Sequence, residues 1–220
     1  DELIGVLRGE GIVVRRPDPI DGRQMIKTPF WQSRGFCTAC PRDGFLVIGE
    51  QIIETPMPWR CRYHESFAYR RLFREYFEKG AGWTSAPKPA LKDEIYDNSY
   101  VMPRAGEPLR YVITEAEPVF DAADFTRCGR DIFVTQSNVT NLSGIAWLRR
   151  HLGDHYRIHV VETMCRQPMH IDSALIPLAP GKVMINPDFI DPERLPPILR
   201  KWDVLVAPRP DRAPGQIISM

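Results

Sequence analysis

The chain lacks any long apolar run. Nothing in its 220 residues approaches the roughly 18 to 20 residues that cross a bilayer as a helix, so no membrane partner is expected. Charge of one sign is missing as well: 29 Lys and Arg face 28 Asp and Glu, for a net charge of +1. The densest basic spots are the pairs Arg15-Arg16, Arg70-Arg71 and Arg149-Arg150. Without a basic stripe there is no electrostatic footprint for a nucleic acid. Cysteine is sparse and odd in number, at Cys37, Cys40, Cys61, Cys128 and Cys165, which argues for reduced thiols rather than a disulfide framework. Together with the acidic start Asp1-Glu2, unlike a signal peptide, this predicts a soluble cytoplasmic protein, with the mitochondrion as the alternative. The chain also starts without Met, in a stretch that reads as a strand (Leu3 to Arg8), and stops in mid-pattern at Gln216 to Met220. A fragment is the expectation.

What the chain does have is a recurring unit. Three loops carry a proton-handling residue, at Cys40-Pro-Arg-Asp43, Phe120-Asp121-Ala-Ala-Asp124 and Met169-His170-Ile-Asp172. Each is followed by an apolar strand, a glycine with a charged residue (Gly49-Glu50, Gly129-Arg130, Gly181-Lys182) and a second apolar strand. Glycine there supplies the positive φ of a two-residue hairpin. If such units pack about a common axis, Asp43, Asp121 and His170 share one mouth.

The remaining elements fit this frame. Gly11 to Arg16 reads as a second β-rich run. Apolar residues at three and four spacing predict a helix from His64 to Lys79, stopped by Gly80. Residues 81 to 110, with Pro87, Pro89, Pro103 and Pro108, read as an ordered excursion between repeats. Strands follow at 111–114 and 131–136, a helix at 141–152 ended by Gly153, and a strand at 156–161. Then come strands at 173–178 and 182–185, a helix at 192–201 and a strand at 204–206. Hairpin, helix and strand describe a repeated α/β unit that must stack on its neighbours.

A rival constellation is metal-binding. Cys37-x-x-Cys40 and Cys61-x-x-His64, separated by twenty residues, have the spacing of a structural zinc site. Against it, the second pair leads into a helix without glycine knuckle residues, and the first abuts Asp43. The question stays open at the level of sequence.

From Pro118-Val-Phe-Asp-Ala-Ala-Asp124 through Gly129-Arg-Asp-Ile-Phe-Val134, and on to Asn186-Pro187, the chain resembles the glycine amidinotransferase family. Arg15-Arg-Pro-Asp-Pro19, Pro41-Arg-Asp43, Ile52-Ile-Glu-Thr-Pro-Met57, Ser85-Ala-Pro-Lys-Pro89, Trp147-Leu-Arg-Arg-His-Leu152 and Pro168-Met-His-Ile-Asp172 carry the resemblance over essentially the whole chain. Cys40-Pro-Arg-Asp-Gly44 is closer to the inosamine-phosphate amidinotransferases. The resemblance implies a five-bladed α/β propeller of the pentein type, built of ββαβ units. About three of the five would be present, as one domain over residues 1–220 that is incomplete at its C-terminal side. It implies transfer of an amidino group from arginine to an amine through a covalent amidino-cysteine, without a cofactor or metal. By matching position, Asp121 and His170 are the expected catalytic acid and His, and Asp43, Met169 and Asp172 the expected substrate-pocket residues. The family's nucleophile lies in a Gly-Gly-Gly-Phe-His-Cys motif, and nothing like it occurs in this chain. Phe189, where the family usually has an Arg that grips a substrate carboxylate, and Cys37, where the glycine enzymes have Tyr, leave the acceptor amine open.

The chemistry suits these residue types. A guanidinium stays protonated at any ordinary pH, so burying it calls for carboxylates that accept paired N–H bonds, here Asp43 and Asp121. An imidazole can protonate the departing amine and later take a proton from the incoming one, with Asp172 available to orient it. The expected partners are therefore small molecules, an arginine donor and an amine acceptor; self-association as a homodimer stays open. Two other readings belong beside this one. A guanidine hydrolase would use water in place of the amine, and a truncated binding protein would keep the fold without the reaction.

Overall fold

The computed structural model describes residues 2–35 and 38–208. Its architecture is α/β and repeats three times. Strands β3 (Phe45–Ile48) and β4 (Gln51–Glu54) form an antiparallel hairpin, and β5 (Gly82–Ser85) adds to β4 in parallel. The second unit has the hairpin β6 (Phe125–Cys128) and β7 (Asp131–Val134), with β8 (Arg157–Val160) parallel to β7. The third has β9 (Leu175–Ala179) and β10 (Lys182–Ile185), with β11 (Asp203–Val206) parallel to β10. Each hairpin turns on a glycine of positive φ, at Gly49, Gly129 and Gly181, where a side chain would meet its own backbone. A small two-stranded sheet, β1 (Met25–Lys27) with β2 (Gln32–Arg34), precedes them.

The crossover from the second strand to the third differs in each unit. In the first, a 3₁₀ stretch, Glu65–Tyr69, runs into helix α3 (Arg70–Glu78), which buries Leu72 and Phe73. In the second it is helix α4 (Leu142–Leu152), capped by Asn141, whose side chain accepts from the Gly144 N–H. The third was expected to be a helix over 192–201; it is two 3₁₀ turns, Pro192–Arg194 and Leu199–Lys201. Pro196 and Pro197 lie between them and cannot donate the N–H that a continuous helix needs.

Other expectations also change. Residues 3–8 form no strand but most of helix α1 (Glu2–Gly9), which buries none of its residues; a short apolar run does not distinguish the two by periodicity. No strand is assigned to 11–16. Residues 111–114 contribute only an isolated bridge, Tyr96 to Ile113. The stretch read as a proline-rich excursion, 81–110, contains the third strand of the first unit, because Gly82-Trp-Thr-Ser85 is too short to stand out from the prolines that follow.

Adjacent units share their cores. Leu46, Ile48 and Ile53 of the first unit pack with Ile132, Val134, Ile145 and Leu148 of the second. Phe133 packs with Ile171, Leu175, Val183 and Ile185 of the third. Strand β7 is thus buried on both faces, its odd and even residues serving different interfaces as the two-residue period of a strand dictates. This shared packing sets the register between units, and with it the spacing of the three loops. No helix among the described residues is long and apolar enough to cross a membrane.

Candidate active site

Each of the three loops forms a short turn that feeds the first strand of its unit. Asp43 lies in the turn α2 (Pro41–Gly44), directly before β3. Asp121 caps the 3₁₀ turn Ala122–Asp124 before β6, its Oδ1 accepting the Ala123 N–H at 2.9 Å. His170 precedes the 3₁₀ turn Ile171–Ser173 before β9. The places are equivalent, and the three residues converge: Asp43, Asp121 and His170 each present a polar atom within 4.8 Å of the other two. His170 Nε2 lies 3.4 Å from Asp121 Oδ2. That contact spans the second and third units.

Sequence reasoning missed the residue that ties the carboxylates together. Arg62, on the 3₁₀ turn Arg60–Arg62, is buried. Its Nε and Nη2 donate to Glu65 at 2.9 and 2.8 Å, and Nη1 donates to Asp43 Oδ2 at 2.9 Å. The same Nη1 lies 3.7 Å from Asp121 Oδ2. The only signal in the sequence is an Arg-x-x-Glu spacing, which equally describes a solvated helical pair.

Burial and charge oppose each other in this cluster. Burial pushes the Asp121 carboxyl above the usual range, against the hydrogen bond and charge of His170. Burial also raises Asp124, with the Asp121 charge adding to it, to about 7. Asp124 accepts from Ser137 Oγ at 2.5 Å. For His170, burial alone would favour the neutral ring. The hydrogen bond to Asp121 and the charges of Asp121, Asp124 and Asp43 outweigh it and lift the imidazole to about 8. Burial would likewise lower Arg62, yet Glu65, Asp121 and Asp43 hold it firmly cationic. The site thus sets two carboxylates against an internal guanidinium, with an imidazole held toward its charged form on the outer side.

The other expected residues lie nearby in different roles. Asp172 is exposed and pairs with Arg42 at 3.0 Å; the carboxylate on His170 is Asp121, so the expected orientation of His170 by Asp172 does not occur. A turn of 3₁₀ geometry sends side chains two apart in different directions. Met169 is half-buried beside His170. Phe189 is buried in the core between the second and third units, hydrophobic among hydrophobics. The zinc spacing does not assemble: among the described residues Cys40, Cys61 and His64 form no group close enough to share an ion, and Cys37 lies outside the described residues. A cavity of about 150 Å³ lies behind Glu65, lined by Cys61, His64 and Phe67 among others, but does not include Asp43, Asp121 or His170. The candidate cluster is marked by the convergence of its charged groups.

No protein-family model matches the chain. It is 51% identical over 210 residues to an L-arginine:L-lysine amidinotransferase of Pseudomonas savastanoi pv. phaseolicola, across 96% of this chain and 58% of that protein. It is 49% identical over 195 residues to the mitochondrial glycine amidinotransferase of Gallus gallus, across 86% of this chain and 46% of that protein. The solved structure of an amidinotransferase from the saxitoxin biosynthetic pathway of Microseira wollei superposes with a TM-score of 0.92 at 55% identity, covering all of this chain and 62% of that one. The chain thus spans about half the length of the curated relatives it matches. Identity at this level along nearly every described residue, on the same α/β framework, means that the chain belongs to the amidinotransferase family.

Proposed function

We propose that the protein carrying this chain moves the amidino group of arginine to an amine acceptor, and that Asp43, Asp121 and His170 form the part of its active site within these 220 residues. The convergence of two carboxylates and an imidazole at one mouth, from three separate units, is the observation that carries the reading. Asp43 and Asp121 accept N–H bonds from the substrate guanidinium, with Met169 and Asp172 beside it, and keep its central carbon electrophilic. A cysteine thiolate from outside the 220 residues attacks that carbon. The C–N bond to the ornithine nitrogen breaks, and His170, protonated at neutral pH, gives that nitrogen its proton. The acceptor amine then attacks the amidino-cysteine and passes a proton to the now neutral His170, and the C–S bond breaks to return the thiolate. A midpoint of about 8 for His170 suits both directions.

On this reading the three observed units belong to a five-bladed propeller, of which residues 1–220 are one incomplete domain. It acts on small molecules in the cytoplasm or, as in the Gallus relative's name, the mitochondrion. The test is direct. Intact protein given arginine and candidate amines should release ornithine, and Asp121→Ala or His170→Ala should lower the rate at least a hundredfold. Citrulline as the product would select a hydrolase instead, and full activity in either variant would sink the assignment.

A further inference from the structure

Arg62 is the largest unexplained commitment in the site. A guanidinium carries five N–H donors in a rigid fork. Arg62 aims two nitrogens at Glu65 and the third at Asp43 and Asp121, the very carboxylates that the proposed reaction needs for a second, substrate guanidinium. Asp43 and Asp121 belong to different units, so nothing in the local backbone of either fixes their separation. One nitrogen, Nη1, lies 2.9 Å from Asp43 and 3.7 Å from Asp121. Glu65, buried and three residues on, holds the other edge of the fork so that Nη1 has one direction to point. Without a cation at this spot, Asp43, Asp121 and Glu65 would be three buried carboxyl groups with no common partner between them. The geometry points to Arg62 as a positioning residue, an internal guanidinium that spaces and counter-charges Asp43 and Asp121 so that both are aligned for the substrate's own guanidinium.

A lysine would supply the charge as a point but not the fork.

This inference rests on the proposed reading for its catalytic arm only; its electrostatic arm needs no turnover. The groups facing His170 are Asp121 and Asp124 from the second unit and Asp43 from the first, with Arg62 and Glu65 behind them and the Arg42–Asp172 pair at the exposed side. In the intact protein, Arg62→Met removes the counter-charge from the carboxylates. The His170 ring, followed by NMR, should then titrate at least half a pH unit above its wild-type midpoint. An unchanged or lowered midpoint in a cooperatively folded variant overturns the proposal, whether or not the protein turns over arginine. Should Arg62→Met fail to fold, Arg62→Lys keeps the charge without the fork. It should leave the His170 midpoint near wild type while raising KM for arginine tenfold or more, and a wild-type KM there overturns the positioning role.

Discussion

Replacing Asp121 by Asn tests the electrostatic logic of the site most sharply. The side chain keeps its shape and can still accept the Ala123 N–H, but it loses the negative charge that faces His170 Nε2 at 3.4 Å. That charge and its hydrogen bond are the main reasons the imidazole titrates at about 8 rather than at 6.5, in spite of burial. The difference, 8 less 6.5, corresponds to about 2 kcal/mol of net preference for the imidazolium. With the carboxylate gone, burial remains, and the His170 midpoint should fall to 6.5 or below. The stability consequence has a definite sign. A group whose pKa is raised by folding stabilises the native state fully below its unfolded pKa, and that contribution is lost as pH rises through the folded value. The wild-type protein therefore holds about 2 kcal/mol from His170 at pH 6 that is gone by pH 9. Asp121, raised by burial, pulls the same way: as an anion at high pH it is a desolvated cost that Asn does not carry. Asp121→Asn should accordingly be about 2 kcal/mol more damaging at pH 6 than at pH 9, read by denaturant unfolding at both, with the ring titration followed by NMR in parallel. A His170 midpoint still near 8 in the variant, or a pH-independent loss of stability, would refute the reasoning.

Two further substitutions address the framework. Asn141 is fully buried and makes four hydrogen bonds, accepting from the Val119 and Gly144 N–H groups and donating to the Thr114 and Glu117 carbonyls at 2.7 to 3.1 Å; Asn141→Ala should cost about 4 kcal/mol in denaturant unfolding, at roughly 1 kcal/mol per bond left unmade, and a loss below 1 kcal/mol would show that the cap is dispensable. His170 holds φ at +60°, a conformation that costs a side chain of order 1 to 3 kcal/mol; His170→Gly should therefore unfold at a free energy about 1 kcal/mol higher than His170→Ala, and the reverse order would remove strain from the account of this loop.

The hairpins were legible because glycine followed by a charge, between β-branched runs, has little else to be. Helix α4 was legible from its two ends, Asn141 and Gly153. The turn at 192–201 was not: the apolar positions repeat as in a helix, and only the backbone chemistry of Pro196 and Pro197 vetoes one. Strand β5 was hidden by brevity. At the site, the equivalence of the three loops made Asp43, Asp121 and His170 visible together, since a repeat converts sequence distance into spatial proximity. Arg62 stayed invisible for the opposite reason. It sits outside the repeated loop, and nothing in Trp59-Arg-Cys-Arg62 separates the buried guanidinium from its neighbour Arg60, which is half-buried over Trp31 and Tyr96 and pairs with the exposed Asp93.

Strand β7 has one further consequence. Because Ile132 and Val134 face the first unit while Phe133 faces the third, this one strand is the reference edge from which both neighbours are measured. A slip of a single residue along it would exchange the two packing surfaces and carry Asp121 away from Asp43 on one side and from His170 on the other. The protein thus inspects its own assembly: a misregistered fold is also one without a functional mouth, so correct docking and competence to bind a cation are gained or lost in a single event.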